Sequence, residues 1–363
     1  MMKRIGILLL TLTLLCSAAL AEEPAVVAPD IYQQTGTLPL YAAVTRTDEA
    51  APLYDLVQAQ WFNQSGEPTY QNGSRRGRVD VFTFPDGAML TARPEYVDYV
   101  EYDGTMETLD PFGEGAPTET LPRPSLKNAI GTLAAVARQC WPDLENQPRL
   151  ESTQLGDLSL DEAKAMLEGL MAKMGLEGWQ CVYALDMRPD RIHALGRNYR
   201  DKLEGISNTP IPAFETADED DQGFYLYYEK CLNGVSLEHE AEDGSAFSLS
   251  AYVTASGLHS FVLRDTHAIG DVYDTPEKLL SASEALSAFE GGNPKRIRDG
   301  FESPTPYELC LTYRPARAAA KWDGVVMTPV WLIRYTYLDV SPCDGWAWYS
   351  ALDGALMEDC YSR

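Results

Sequence analysis

The most suggestive chemical spacing in this chain is Asp218, Asp220, Gln222 and Gly223, followed by Glu229 at the twelfth place counted from Asp218. A calcium loop wants oxygen ligands at its first, third and fifth positions, glycine at the sixth and a carboxylate at the twelfth. Gln222 is a poor fifth ligand, and Phe224 to Glu229 reads as a strand where an exiting helix is required. The acidic run is therefore read as a solvated loop, with no metal assigned. The four histidines, His193, His239, His259 and His267, form no His-Glu-x-x-His pattern and no helical i, i+4 pair, so they offer no zinc ligand set. His259 and His267 bracket a strand and are expected to be exposed or simply hydrogen-bonded. No Gly-x-Ser-x-Gly turn presents a serine, and neither Cys140 nor Cys181 has the neighbours of a known thiol protease. Carboxylates are too numerous for one pair to stand out as a glycosidase dyad. No catalytic, cofactor-binding or metal-binding residue is assigned, and no cofactor is expected.

Near the end of the chain Trp331, Trp346 and Trp348 cluster with Tyr335, Tyr337 and Tyr349. Such faces stack on sugars, but alternation within strands sends half of them inward, so core packing is the expectation.

What must position any chemistry is set first by export. Lys3 and Arg4 precede an apolar run from Ile5 to Leu15 and a small-x-small site at Ala19-Leu20-Ala21, the pattern of a cleaved signal peptide. The apolar core, about 11 residues, is short of the ~20 that span a bilayer. A competing reading makes Cys16 a lipid anchor; Leu15 is large where that peptidase takes a small residue, so cleavage after Ala21 is expected. The formal charge of −25 becomes about −27 without the leader, which repels nucleic acid and anionic lipid and suits a cationic partner. No later stretch is apolar and long enough to cross a membrane. Cys140, Cys181, Cys231, Cys310, Cys343 and Cys360 permit disulfides, with Cys343–Cys360 the expected pair across a hairpin, although strand cysteines also serve as small core residues.

Periodicity supplies the elements. Arg78 to Phe84 and Ala88 to Arg93 flank Pro85-Asp86-Gly87 as a hairpin, and Tyr96 to Tyr102 extends the sheet. Ser125 caps a helix. Ser159 and Glu162 form a capping box for another, with Ala163, Met166, Leu167, Leu170 and Met171 on one stripe. Trp179 to Met187 is a strand, and a helix follows from Pro189. Asn233-Gly234 and Ser256-Gly257 mark two hairpins. Thr275-Pro276 is expected to start the last helix, before strands at 307–313, 327–338 and 346–351. Strands come in antiparallel runs, which predicts an α+β fold with antiparallel sheets and amphipathic helices packed on one face. The divisions expected are a signal peptide (1–21), an extended arm or linker (22–61), an N-terminal α+β region (62–150) and a C-terminal α+β domain (151–363).

Ser159-Leu-Asp-Glu-Ala163 leading to Met174-Gly175 resembles the opening of PepSY-type domains. Tyr307 to Tyr313, Thr328-Pro-Val-Trp331 and Trp348 to Gly354 together resemble the YycH/YycI-type proteins and uncharacterised exported proteins of clostridial bacteria. The resemblance covers about residues 155 to 358. It implies an extracytoplasmic regulatory protein that acts through contacts, on a sensor kinase or a protease, with no catalytic residue. The YycH/YycI-type proteins keep a membrane anchor that a cleaved leader would remove. The expectation is thus an exported, non-enzymatic protein that binds and regulates an unidentified envelope protein. Two rivals remain: a secreted hydrolase acting on glycans or peptides, and a surface module binding carbohydrate or calcium.

Overall fold

The computed structural model describes residues 24–46, 52–62, 66–72, 78–109, 119–139, 148–206, 212–237, 247–291, 304–317, 325–337 and 343–361. The expected leader, Cys16, Cys140 and His239 lie outside them. The chain begins with β1 (Ala25–Val27), α1 (Asp30–Thr35) and α2 (Leu53–Leu56). Four short strands follow: β2 (Thr69–Asn72), β3 (Asp80–Thr83), β4 (Met89–Ala92) and β5 (Tyr96–Val100). Helices α3 (Leu126–Gln139) and α4 (Leu160–Lys173) lead to β6 (Trp179–Met187). Helix α5 (Pro189–Ile206) precedes the meander β7 (Gly223–Leu232), β8 (Phe247–Thr254) and β9 (Gly257–Asp265). Helix α6 (Ala282–Gly291) and strands β10 (Thr305–Arg317), β11 (Val325–Tyr337), β12 (Cys343–Ser350) and β13 (Leu356–Tyr361) follow, and further strands, among them Leu40–Thr45, Tyr102–Leu109 and His267–Asp274, lie between these elements.

These elements fall into two compact units, residues 42–271 with 315–326, and residues up to 41 with 272–314 and 327–363. The units cut across the divisions expected from sequence. The boundary placed at residue 150 separates nothing, because β5 pairs antiparallel with β9 in one sheet, Tyr99 opposite Phe261. Nor is 22–61 an arm: Leu38 and Leu53 are fully buried, and the segment carries helices and strands. Sequence order misled here because pairing partners lie far apart along the chain.

In the larger unit one sheet runs in the order β6-β7-β8-β9-β5-β4-β3-β2. Every neighbouring pair is antiparallel. The α+β class with antiparallel sheets is as expected, but the helices do not keep to one face. Phe224, Leu226 and Tyr228 of β7 pack with Ala163, Leu167, Leu170 and Met171 of α4. Tyr225 and Tyr227, pointing the other way, pack with Ile130 and Leu133 of α3 and with Ile192 and Tyr199 of α5. A strand covered on both faces is apolar at every position rather than at alternate ones, and Gly223 to Tyr228 are all buried.

Local signals place the helix ends. Ser159 Oγ accepts from Glu162 N (3.2 Å) while Ser159 N donates to Glu162 Oε2 (2.8 Å), the reciprocal box that satisfies two orphan amides. Ser125 Oγ accepts from Asn128 N (3.1 Å) at the start of α3. Helix α6 begins at Ala282, not at Thr275-Pro276. There Ser281 N donates to Glu284 Oε2 (2.7 Å) and Glu284 N to Ser281 Oγ (3.3 Å), a second box six residues later than the proline signal. Asn233 and Gly234 take φ values of 53° and 74°, the left-handed pair a tight hairpin turn requires.

In the smaller unit β1 lies parallel to β10, and β10, β11, β12 and β13 follow in order. Phe289 of α6 meets Tyr335 (5.2 Å between centroids) and Tyr349 (6.2 Å). The Leu280 carbonyl accepts from both Tyr32 Oη (3.2 Å) and Trp331 Nε1 (2.9 Å), tying α1 to β11. Trp331 and Trp348 are buried with Tyr335 and Tyr349, so these rings pack a core. The side chains of Cys343, Cys360 and Tyr337 fall outside the described residues; Cys181 and Cys231 are free thiols, and Cys310 Sγ donates to Glu308 Oε1 (2.8 Å).

Helix α3 sits close on its sheet through Gly131, where an added Cβ would lie 2.3 Å from Ser260 Oγ and 3.0 Å from Tyr252 Cβ. Helix propensity alone favours Gly131→Ala by about 1 kcal/mol, but the overlap outweighs it. The variant is expected to lose about 1–3 kcal/mol in urea unfolding; unchanged or raised stability would show that α3 does not pack this tightly.

Candidate functional site

Double coverage of the sheet brings both helix layers to the β8–β9 turn. On one side, Met166, Leu167, Gly169, Leu170 and Lys173 recur at three- and four-residue steps along α4 and form a wall. Opposite stand Val253, Ser256, Gly257 and Leu258 of the hairpin, over a floor of Trp61, Phe62 and Tyr99. The groove between them encloses about 720 Å³ and carries the carboxylates Asp86 and Glu101. That volume falls in the ordinary range for ligand sites, roughly 300–1,000 Å³. Phe62 packs its ring against Tyr99 (5.5 Å) and Phe261 (5.3 Å), which fixes the floor.

At the turn end of the groove four polar side chains converge. His259, almost fully buried, places Nδ1 2.6 Å from Glu101 Oε2. Its Nε2 lies 2.7 Å from Thr254 Oγ1 and 3.0 Å from Ser256 Oγ. The two hydroxyls are 2.8 Å apart, and Ser256 N donates to Thr254 Oγ1 (3.2 Å). From α3, Lys127 Nζ reaches Ser256 Oγ at 3.2 Å and Asn128 Nδ2 donates to the His259 carbonyl at 3.2 Å. Tyr99 Oη donates to the other Glu101 oxygen (3.4 Å). A carboxylate on Nδ1 holds that proton and leaves Nε2 as an acceptor facing the hydroxyls. Thr254 is buried, whereas Ser256 is exposed at the tip.

The remaining sequence candidates are scattered. Asp218 caps a single 3-10 turn, Oδ1 accepting from Asp220 N (2.9 Å) and Asp221 Oδ2 accepting from Asp218 N (3.2 Å). Glu229 lies on β7 and accepts from Ser236 Oγ (2.5 Å), so the acidic run and Glu229 do not converge as a calcium loop would require. His193 Nε2 is 3.0 Å from the Ala217 carbonyl, and His267 Nδ1 is 2.8 Å from Thr266 Oγ1. Burial pushes the Cys181 thiol up and the Cys231 thiol up to about 11, which leaves both poor nucleophiles at neutral pH. Among the described residues no group of three or more His, Cys, Asp or Glu side chains is disposed to hold a metal, and no helix is long and apolar enough to cross a membrane.

Sequence reasoning found the Ser256-Gly257 hairpin and described His259 as bracketing a strand. It missed Glu101, which lies 158 residues from His259 in the chain and meets it only through the β5–β9 pairing.

No protein-family model and no curated protein matches this chain. Among solved structures, an uncharacterised protein from Eubacterium rectale ATCC 33656 is similar over 89% of this chain and 86% of its own, at 14% identity and a TM-score of 0.52. That likeness shows a shared fold. The Bacillus megaterium YpeB C-terminal domain aligns over 86% of this chain and 96% of its own, at 7% identity and a TM-score of 0.29.

Strand β5, which delivers Glu101, also carries Asp98. Burial pushes its carboxyl up to about 6, against the smaller opposing pulls of Tyr96 and Arg93. A carboxyl raised on folding holds its proton in the native chain after the unfolded chain has released it, so its contribution falls as pH rises from about 4 to 6. Asp98→Asn removes that penalty. The variant is expected to gain stability relative to the parent at pH 7, by up to about 3 kcal/mol, and to gain only about a third as much at pH 4.5. Urea unfolding at both values measures this; an equal difference at the two would contradict it.

Proposed function

We propose that this chain is an exported protein that binds and regulates a protein partner in the cell envelope, in the manner its PepSY-like and YycH/YycI-type resemblance implies. The observation that carries the reading is the groove along α4, open to solvent, whose lining sets the polar side chains of Asp86, Glu101, Ser256 and Lys173 beside the half-buried Trp61 and the exposed Met166. Met166 stands exposed on its wall, and at Gly169 an added Cβ would meet nothing within 4 Å, so the wall has room for an incoming chain. The occupant is a short segment of the partner that offers apolar side chains to Trp61 and Met166 and a basic one to Asp86. The overall charge of −25 favours the same kind of segment and speeds its approach. Regulation follows from holding that segment; no bond need be made or broken.

Gly169→Trp tests this without touching the core, because replacing an exposed helical glycine costs nothing in propensity. With the photo-crosslinking residue p-benzoylphenylalanine in place of Met166, the parent is expected to give one discrete adduct with an envelope protein. Purified, that protein should bind at least about tenfold more weakly to Gly169→Trp, a loss of ~1.4 kcal/mol, at an unchanged unfolding midpoint. Binding that ignores Gly169→Trp, or no adduct at all, would contradict the reading.

A further inference from the structure

Ser256, His259 and Glu101 stand in the order and at the spacings of a nucleophile, a general base and an orienting carboxylate. We propose that Ser256 is an acyl-accepting nucleophile, so that the groove end hydrolyses carboxylic esters whose apolar acyl part lies along α4. This goes beyond the partner-binding reading and does not depend on it.

Three features of the site point the same way. Glu101 Oε2, 2.6 Å from His259 Nδ1, fixes the tautomer in which Nε2 is free to take a proton, and Ser256 Oγ lies within reach of that nitrogen at 3.0 Å. Ser256 is the exposed hydroxyl of the pair and lines the groove, whereas Thr254 is closed off from any substrate. Lys127 Nζ lies 3.2 Å from Ser256 Oγ, so an ammonium faces the place where negative charge would develop.

The reaction balances with water alone. Ser256 Oγ attacks the ester carbonyl carbon as His259 Nε2 takes the hydroxyl proton, and the resulting oxyanion lies beside the Lys127 ammonium. The bond to the leaving oxygen then breaks, its electron pair going to that oxygen, which receives the proton from the imidazolium and departs as an alcohol. Water next adds to the acyl carbon, giving its proton to Nε2. Ser256 Oγ leaves with that proton, and the carboxylic acid is released. Apolar chains find Trp61, Met166 and Leu258 in the groove. Thr254 Oγ1, at 2.7 Å, competes for Nε2 in the resting site, so a substrate that draws Ser256 Oγ into line completes the relay.

A fluorophosphonate–biotin probe, which phosphonylates activated serines and spares ordinary ones, tests the assignment on the full chain. The expected result is a single adduct that peptide mass spectrometry maps to Ser256. Ser256→Ala abolishes it, and His259→Gln slows it by about 100-fold. Glu101→Gln slows it less, and hydrolysis of p-nitrophenyl butyrate falls in parallel. Should His259→Gln melt well below the parent, the mapped adduct on the unsubstituted protein decides alone. No adduct on Ser256 after overnight exposure of the folded protein would overturn the proposal and leave these side chains as a lock on the hairpin. The crosslinking result at Met166 stands or falls separately.

Discussion

Burial of β7 on both faces is the constraint on which the larger unit depends. Phe224, Leu226 and Tyr228 look one way and Tyr225 and Tyr227 the other, and no single layer of helices covers both sets. Each large apolar side chain removed from water contributes about 1.5–3 kcal/mol, so leaving either face bare would cost a sizeable part of a domain's net stability. Helix α4 closes one side and α3 with α5 the other. The tyrosines keep their hydroxyls satisfied as they go under: Tyr228 donates to Glu168 (3.1 Å) on α4, and Tyr252 to the Asp221 carbonyl (2.5 Å).

The groove follows from that layering. Because α3 and α4 approach the β8–β9 hairpin from opposite faces, one supplies Lys127 and Asn128 and the other supplies the wall of Met166, Leu167 and Leu170. The far end of β9 is held by charge instead. The fully buried carboxylate of Asp265 accepts from Arg46 Nη2 at 2.8 Å and from Lys230 Nζ at 2.9 and 3.0 Å. Burial lowers the Lys230 ammonium below the ordinary lysine range, and Asp265 works against that shift. A buried set of this kind is costly to break from one side, on the order of 3–5 kcal/mol, and so pins the register of β9 from the end opposite the groove.

What the sequence made legible was local. The capping box at Ser159, the Asn233-Gly234 turn and the Ser256-Gly257 hairpin are each written within fewer than twenty residues and stand where the pattern put them, and the α4 stripe is buried at Ala163, Leu167, Leu170 and Met171 while Met166 faces solvent. Most of the misses come from contacts between distant parts of the chain, and one, the start of α6, is local. The run Phe-Tyr-Leu-Tyr-Tyr in β7 signalled double coverage by lacking alternation, yet a short apolar run does not say which helices supply the cover. A start for α6 at Thr275-Pro276 looked plausible because proline favours a first turn; the Ser281–Glu284 box, a stronger signal, lay just beyond it. Glu101 is one acid among many until β5 pairs with β9 and sets it against His259.

The arrangement at the groove end depends on which imidazole nitrogen carries the proton, and nitrogen-15 correlation spectra of His259 at neutral pH read that directly. The account predicts a single slowly exchanging proton on Nδ1, held by Glu101, with Nε2 bare toward Thr254 and Ser256. A proton on Nε2 over a bare Nδ1, or a ring averaging between the two forms, would contradict it.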